Sequence, residues 1–235
     1  MSPAVIELRQ YALRPGRRDE LIALFEREFV ESQEAVGMAL IGQFRDVDDP
    51  DRFVWLRGFA DMETRKAALE SFYSGPVWRA HREAANATMI DSDDVLLLRP
   101  LDGAPAFPSG ERGPVGASGP GPGAVVIGVH RIEGPDASPD RGLPGRFMTD
   151  LAPRLTAAGL APVAVLVTEP AANTFPGLPV REGERVLVWV SVQPDQTAAD
   201  AALSSGRSDP ALAALFAAPL QLMRLQPTVR SRLHG

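Results

Sequence analysis

Residues 101–123, LDGAPAFPSGERGPVGASGPGPG, contain seven glycines and five prolines and divide the chain of 235 residues into two parts. The segment has no apolar periodicity, and a Gly/Pro-rich composition of this kind is typical of a flexible linker that buries nothing. It therefore predicts two domains, over residues 1–100 and 124–235, joined by a linker over residues 101–123.

The sequence of the first domain predicts secondary-structure elements in the order βαββαβ. Residues 5–13, VIELRQYAL, alternate as a strand does and end at a Pro-Gly turn, and Leu21, Phe25 and Phe29 then recur every four residues, as in a helix. Asp61 is a suitable N-cap, and Pro76 is suited to the first position of a helix. The predicted strands are 5–13, 38–47, 52–59 and 95–99, and the predicted helices are 17–36, 61–73 and 77–89.

The second domain repeats this order more loosely. Trp55 in RFVWL has a counterpart in Trp189 of RVLVWV, and LLLRP near residue 100 resembles LMRLQP near residue 227. An internal duplication explains the repetition, and the class is α+β with tandem ferredoxin-like (βαββαβ) repeats. The predicted strands are 125–132, 161–169, 185–192 and 220–226, and the predicted helices are 141–158, 195–204 and 209–217.

Both faces of each predicted sheet are substantially apolar, so both must be covered. Packing the two sheets face to face gives an intramolecular dimeric α/β barrel. In that arrangement we expect Ile6 and Leu8 to pack under the helices, and Glu7, Arg9 and Tyr11 to face the space between the sheets.

Several segments of residues 4–99 resemble the NIPSNAP family. They are VIELRQYALRPG, LFEREF, GQFRDVDDPDRFVWLRGF and FYSGPVWRAHREAANATMIDSDDVLLL, in which ELR-x-Y before a Pro-Gly turn and GPVW-x-x-H are the most specific. The resemblance implies the dimeric α/β barrel superfamily and carries no catalytic residues with it. The second half departs from the pattern, with Gly128, Val129, His130 and Ile132 nearest to ELR-x-Y, so any pocket is expected on the side of the first copy.

Trp78 and His81 are three residues apart, and so lie on one face of a helix. Barrels related to the family include haem-binding monooxygenases with a helix-borne histidine ligand and enzymes that oxidise aromatic compounds without a cofactor. His81 could therefore ligate haem or act as a base, and the alternative is a structural histidine paired with a carboxylate.

A polar stripe on the covered face of the sheet supplies the other candidates. Arg9 could bind an anion or a carbonyl group with Tyr11 as hydrogen-bond donor, while a Glu–Arg pair that holds strand register is the structural alternative. The predicted catalytic residues are His81, Tyr11 and Arg9. The predicted substrate-binding residues are Glu7, Trp55, Arg57, Tyr73 and Trp78.

Composition excludes several classes of function. The sequence has no cysteine and three histidines, which argues against disulfides, thiolate chemistry and a metal site. The net charge of −6 disfavours a nucleic-acid surface. The sequence shows no signal peptide and no apolar run long enough for a membrane span, so a cytoplasmic protein is expected. The near absence of lysine, with Lys66 alone, suggests a bacterial source.

Two functions stay open on these grounds. The first is binding of a small apolar or aromatic molecule between the two sheets, with a monooxygenase-like or isomerase/cyclase-like step and no required cofactor, haem being an option. The second is a non-enzymatic oligomerisation or scaffold module, whose barrel centre would be filled by Trp55 and Phe53. A cavity of roughly 300 Å³ or more reaching His81 would favour the first. The sequence leaves open whether the protein is an enzyme and whether two chains form a homodimer.

Overall fold

The computed structural model describes residues 3–108, 110–132 and 142–235, in which eight antiparallel strands close into one barrel with helices on its outside. The strands are β1 Val5–Leu13, β2 Ala39–Asp46, β3 Arg52–Phe59, β4 Met89–Pro100, β5 Ala124–Arg131, β6 Pro162–Thr168, β7 Val186–Gln193 and β8 Gln221–Pro227. The helices are α1 Arg18–Leu24, α2 Val30–Glu34, α3 Met62–Ser74, α4 Pro76–Thr88, α5 Gly142–Arg146, α6 Ala152–Ala157, α7 Gln196–Arg207 and α8 Pro210–Ala217.

Each half contributes four adjacent strands to the ring, β4-β1-β3-β2 from the N-terminal half and β8-β5-β7-β6 from the C-terminal half. Two short seams close it. Phe44 to Asp46 of β2 pair with β8, and Leu98 to Pro100 of β4 pair with β6. The predicted α/β barrel is therefore present as a closed eight-stranded barrel.

Most predicted elements are found where the sequence pattern places them, and β1 and β3 have the predicted bounds. Strand β4 is longer than predicted, because it pairs with β1 from Met89 onward through irregular register. The run Asp91-Ser92-Asp93-Asp94 has no apolar alternation to reveal a strand. The predicted helix 141–158 starts at Arg141, which lies outside the described residues.

The first helix of each half contains a π-helical turn. It joins α1 to α2 at Phe25–Phe29 and α5 to α6 at Phe147–Leu151. A turn of this type inserts a residue into the helix and is frequent near functional sites.

The orientation of the polar face predicted for β1 is wrong. Ile6 and Leu8 point into the barrel interior, where they pack against strands of the other half, whereas Tyr11, Phe53 and Trp55 pack beneath the helices. The expected filling of the barrel centre by Trp55 and Phe53 is therefore also wrong. Aliphatic side chains and Phe44 occupy it: Ile6, Leu8, Val54, Leu56, Leu96, Val125, Ile127, Val129, Val186, Val188 and Val190 are among them.

The available partners explain this choice of faces. A buried charge is tolerated only beside an opposite charge or hydrogen-bonding groups. On the helix side, Arg65 of α3 and Gln33 of α2 bond to the charged groups of the sheet. The barrel interior supplies aliphatic contacts instead, so the aliphatic face of each strand lies there.

The Gly/Pro-rich segment is packed against the barrel, contrary to the expectation that it buries nothing. Leu101 is buried, and Phe107 packs against the barrel interior. Arg112 donates to the carbonyl of Leu40 at 3.1 Å and pairs with Glu34. The segment thus spans the barrel in contact with it.

The C-terminal tail, residues 228–235, packs against the barrel beside the Gly/Pro-rich segment. Leu233 is fully buried in the interior cluster. Arg230 is buried and bonds to Glu26 and Glu31 beside the π-helical turn. Neither contact has a signature in the sequence.

No helix in the described ranges is long and apolar enough to cross a membrane.

Truncation of Phe44 tests the tight packing of the barrel interior. Phe44→Ala should lower the free energy of unfolding by about 3–5 kcal/mol, because the ring is fully buried and leaves a cavity. Val47→Ala, at a position 43% exposed, should change it by no more than about 0.5 kcal/mol in the same urea titration. Equal effects of the two substitutions would contradict the packing described.

Candidate functional site

A cluster of four charged side chains lies between the outer face of the N-terminal sheet and α3. We call Glu7, Arg9, Arg57 and Arg65 the charge cluster, and each is at most 1% exposed. Both oxygens of the Glu7 carboxylate are used: Oε2 accepts from Arg9 Nη1 and Arg57 Nε at 2.8 Å each, and Oε1 accepts from Arg65 Nε at 2.6 Å.

Strand pairing explains how these groups meet. Glu7 lies directly opposite Arg57 across β1 and β3, and Arg9 follows Glu7 on the same face. Arg65 reaches them from α3, which begins at the capping box formed by Asp61 and Thr64.

The electrostatics of Glu7 follow from these contacts. Burial by itself would raise its pKa, but the guanidinium groups of Arg57, Arg9 and Arg65 lower the pKa well below its usual range. The carboxylate is therefore ionised, and three cations surround one anion. The charge cluster carries an excess of two positive charges in a place that water does not reach.

Tyr11 and Gln33 accept hydrogen bonds from the charge cluster but do not neutralise its excess charge. Arg9 Nε donates to Tyr11 Oη at 3.2 Å, and Arg57 Nη1 donates to Gln33 Oε1 at 3.0 Å. Burial would lower the pKa of Arg9, but Tyr11 and Glu7 raise it above its usual range. Desolvation raises the pKa of the Tyr73 phenol, so Tyr73 supplies no negative charge near neutral pH.

An aromatic chamber adjoins the charge cluster. It is a cavity of about 30 Å³, room for little more than one water molecule. Its walls include Tyr11, Gln33, Trp55, Phe72, Tyr73 and Trp78, together with Phe25 and Phe29 of the π-helical turn. The guanidinium carbons of Arg9 and Arg57 lie 5.5 and 5.0 Å from the ring centre of Trp55. The chamber thus has an apolar, electron-rich wall with cations behind it.

Two donors at this place have no acceptor among the described residues. They are the indole N–H of Trp55, in the chamber wall, and Nη2 of Arg65, and both are buried. Buried donors of this kind are normally satisfied, so each is a candidate contact for an acceptor on a ligand.

The C-terminal half covers the outer side of this site. The β6–β7 loop, residues 169–185, places Asn173 Oδ1 3.0 Å from Arg65 Nη1, which donates to it. Phe175 stacks on Tyr73, with ring centres 5.8 Å apart and an angle of 24° between the planes.

His81 lies outside the chamber. It is on the outer face of α4 and is 32% exposed. Its Nε2 lies 3.5 Å from Glu28 Oε2, so His81 is paired with a carboxylate, as expected for a structural histidine. Phe29 lies between it and the chamber, with its ring centre 6.4 Å from that of His81. A cavity of about 30 Å³ whose wall does not contain His81 does not fit a haem ligated by this residue. No group of three or more His, Cys, Asp or Glu in the described ranges is placed to hold a metal ion.

The structure brings seven of the eight predicted site residues together on the helix side of the N-terminal sheet: Glu7, Arg9, Tyr11, Trp55, Arg57, Tyr73 and Trp78. The sequence interpretation missed Arg65, Gln33 and Asn173. Arg65 did have a signal, since it shares one face of α3 with the buried Leu69 and Phe72. A single arginine on an apolar helix face requires a buried partner.

In the C-terminal half, the described residues at the corresponding strand positions are uncharged. Trp189 of β7 lies opposite Gly128 of β5, as Trp55 lies opposite Arg9. In this register Val126 stands in the position of Glu7, and Ser191 in that of Arg57. A side chain at Gly128 is excluded, because a Cβ there would lie 2.3 Å from Nε1 of Trp189.

His130 takes the position of Tyr11 in the C-terminal half. It is buried, stacks on Trp189, and its Nε2 accepts from Trp189 Nε1 at 3.0 Å. Burial lowers the pKa of His130 to about 4, so the ring is neutral at pH 7. It is a satisfied core histidine.

A larger cavity, of about 490 Å³, lies on the outer side of the seam between β4 and β6. Leu97, Val167 and Ile132 line it, and Arg99 and Glu169 are at its polar edges. It is separate from the chamber and from His81, and no sequence motif predicts it.

The fold is a closed α/β barrel with an apolar interior, and its buried charge cluster lies beneath the helices of one half. The same fold is found along the whole chain in two solved structures described as candidate monooxygenases. One, from Lactobacillus acidophilus, is 14% identical with a TM-score of 0.54 and covers 100% of this chain and 97% of its own. The other, from Fusobacterium nucleatum, is 8% identical with a TM-score of 0.58 and covers 100% and 96%. At these identities the likeness concerns the fold alone.

The NIPSNAP family model matches residues 6–105, the part of the chain whose motifs resemble that family. A NIPSNAP-like domain protein from Burkholderia xenovorans is 28% identical, with a TM-score of 0.41, and covers 46% of this chain and 94% of its own. No curated protein matches the sequence.

Removal of the carboxylate charge should destabilise the fold strongly. Glu7→Gln leaves three buried guanidinium groups without a counter-charge, and we expect a loss of about 3–5 kcal/mol in the free energy of unfolding. Glu20→Gln, which breaks only the exposed pair with Arg17, should cost no more than about 1 kcal/mol. Urea denaturation measures both, and a small loss for Glu7→Gln would show that the charge cluster is not held by this carboxylate.

His130 should make stability depend on pH. Its pKa of about 4 in the folded protein lies below its ordinary value of 6.5, so the unfolded chain binds more protons between these values. Stability should therefore fall as the pH is lowered from 6.5 to about 4. His130→Gln, which keeps an acceptor for Trp189, should flatten this part of the curve of unfolding free energy against pH. Parallel curves for the two proteins would contradict the assignment.

Proposed function

We propose that the chain arose by tandem duplication of a ferredoxin-like unit, and that it binds a small aromatic anion in the chamber of the first copy. The duplication is supported by the π-helical turn at the same place in both halves and by matching helix starts. Asp61 and Asp195 cap α3 and α7 with the same extended backbone, and Pro76 and Pro210 begin α4 and α8.

The observation that carries the binding proposal is the excess positive charge buried against an aromatic wall. Removing cations from water is unfavourable unless an anion compensates them, and Glu7 compensates only one of three. A carboxylate, phenolate or enolate group would supply a further negative charge. The rings of Trp55, Tyr73 and Trp78 suit an aromatic or apolar body attached to it.

The site lies between the sheet and the helices, and not between the two sheets as the sequence suggested. An enzymatic step here would use the charge cluster to stabilise an oxyanion that forms on the substrate. Arg9 and Tyr11 keep their predicted roles in this proposal, because Tyr11 accepts from Arg9 and can donate its own hydroxyl hydrogen. His81, which is paired with Glu28 outside the chamber, has no role in the step.

Calorimetric titration with 2-naphthoate tests the proposal, with the neutral analogue 2-naphthylmethanol as the matched ligand. We expect the anion to bind at least about tenfold more tightly, a difference of about 1.4 kcal/mol. Arg9→Met should abolish this preference, whereas Arg17→Met, which changes an exposed residue, should leave it intact.

Equal affinity for the two ligands, or an unchanged preference in Arg9→Met, would contradict recognition of the anion. Binding of neither ligand would favour the second candidate, the non-enzymatic scaffold. The observation behind that candidate is the barrel interior, which is filled by side chains of both halves.

A further inference from the structure

The loop between the second and third strands differs greatly between the two halves. In the N-terminal half, residues 47–51 join β2 to β3, whereas in the C-terminal half residues 169–185 join β6 to β7. Loops of the second length are uncommon as simple connections and are usually functional. The extra residues of the β6–β7 loop extend onto the N-terminal half.

The base of this loop is fixed to β4. The amide of Glu169 donates to the carbonyl of Leu97 at 2.9 Å, and the amide of Arg181 donates to that of Val95 at 2.8 Å. The guanidinium of Arg181 also pairs with Asp94 at 3.1 Å. Both ends of the loop are therefore anchored to β4, and the part between them extends beyond this base to α3.

The tip of the loop holds to α3 by a few exchangeable contacts. Thr174 Oγ1 donates to the carbonyl of Met62 at 3.2 Å, and Asn173 accepts from Arg65. Phe175 and Leu178 pack against the aromatic cluster from outside, and both stay partly exposed. These contacts are the outermost layer between the chamber and solvent.

Two features couple the tip of the loop to the chamber. Arg65 bonds at once to Glu7 in the charge cluster and to Asn173 in the loop, so a change at either partner affects the other. Phe175 stacks on Tyr73, whose ring centre is 4.8 Å from that of Trp78. A cavity of about 30 Å³ admits an aromatic ring only if these half-buried rings move outward.

We infer that the β6–β7 loop of the C-terminal half is the gate of the N-terminal chamber. Phe175 is its specificity-determining residue, since its ring limits how far Tyr73 can move. Asn173 is a positioning residue that holds Arg65 in the charge cluster. The inference rests on the proposed ligand site, but the movement of the loop is measurable without a ligand.

Acrylamide quenching of tryptophan fluorescence measures the gate directly. Trp55 and Trp189 are buried and Trp78 is half-buried, so quenching reports mainly on Trp78. Phe175→Ala should raise the quenching constant roughly twofold by opening the outer wall. Glu182→Gln, an exposed change in the same loop, should leave it unaltered, and adding Trp78→Phe to Phe175→Ala should remove the increase.

A cross-link tests the opposite direction, and the same double variant before joining is its matched control. The chain has no cysteine, so Met62→Cys combined with Thr174→Cys can be joined selectively by a short bis-maleimide. The joined protein should admit 2-naphthoate at least about tenfold more slowly in stopped-flow fluorescence than the same variant before joining.

The results separate the two proposals. Unchanged quenching in Phe175→Ala, or unchanged entry of 2-naphthoate into the joined protein, would overturn the gate. Increased quenching in Phe175→Ala, with no binding of 2-naphthoate to the unaltered protein, would support the gate and reject the ligand class.

Discussion

The carboxylate of Glu7 is the point on which the N-terminal half is organised. It joins β1, β3 and α3 through three guanidinium groups, and no other group of the charge cluster carries a negative charge. Without it, Arg57 and Arg65 would be buried cations with an amide as their strongest partner. The aromatic rings around the cluster are placed by the same contacts, since Trp55 lies against both Arg9 and Arg57. Fold and site therefore have one common constraint.

The C-terminal half shows what the fold needs when this constraint is removed. Valine and serine take the places of the charged pair, and Gly128 makes room for the indole of Trp189, which finds its acceptor in His130. That half is held mainly by apolar packing, and the polar contacts beneath its helices include the pairs Trp189–His130 and Gln193–Ser191. The barrel therefore accommodates either a charged or an apolar layer beneath its helices. The charged layer requires more, because each buried charge needs a partner.

The order of elements was predictable from the sequence, because strand alternation, helix caps and the Gly/Pro-rich segment are local signals. The sequence did not show which face of β1 lies beneath the helices. One face carries Ile6 and Leu8 and the other Val5 and Tyr11, and both are apolar enough to be buried. Only the distant partners Arg65 and Gln33 determine that the face with the charged residues lies on the helix side. The predicted site residues come together because five of them lie on two paired strands and Tyr73 and Trp78 follow on the helices. His81 does not join them. Although it is only three residues from Trp78 on α4, the Trp78 ring points into the chamber and the His81 ring points away from it. Contacts across the barrel, such as Asn173 with Arg65, have no signal in either segment alone.

The unequal loops between the middle strands have a consequence for symmetry. A barrel assembled from two identical subunits must repeat every loop at both ends of its twofold axis, so an elongated loop would cover two sites at once. One covalent chain is released from that rule. It can place residues 169–185 over one side and leave the five-residue turn 47–51 on the other. Joining the halves in one polypeptide therefore permits them to differ, so that one half holds a buried charge cluster and the other supplies the long loop that packs over it.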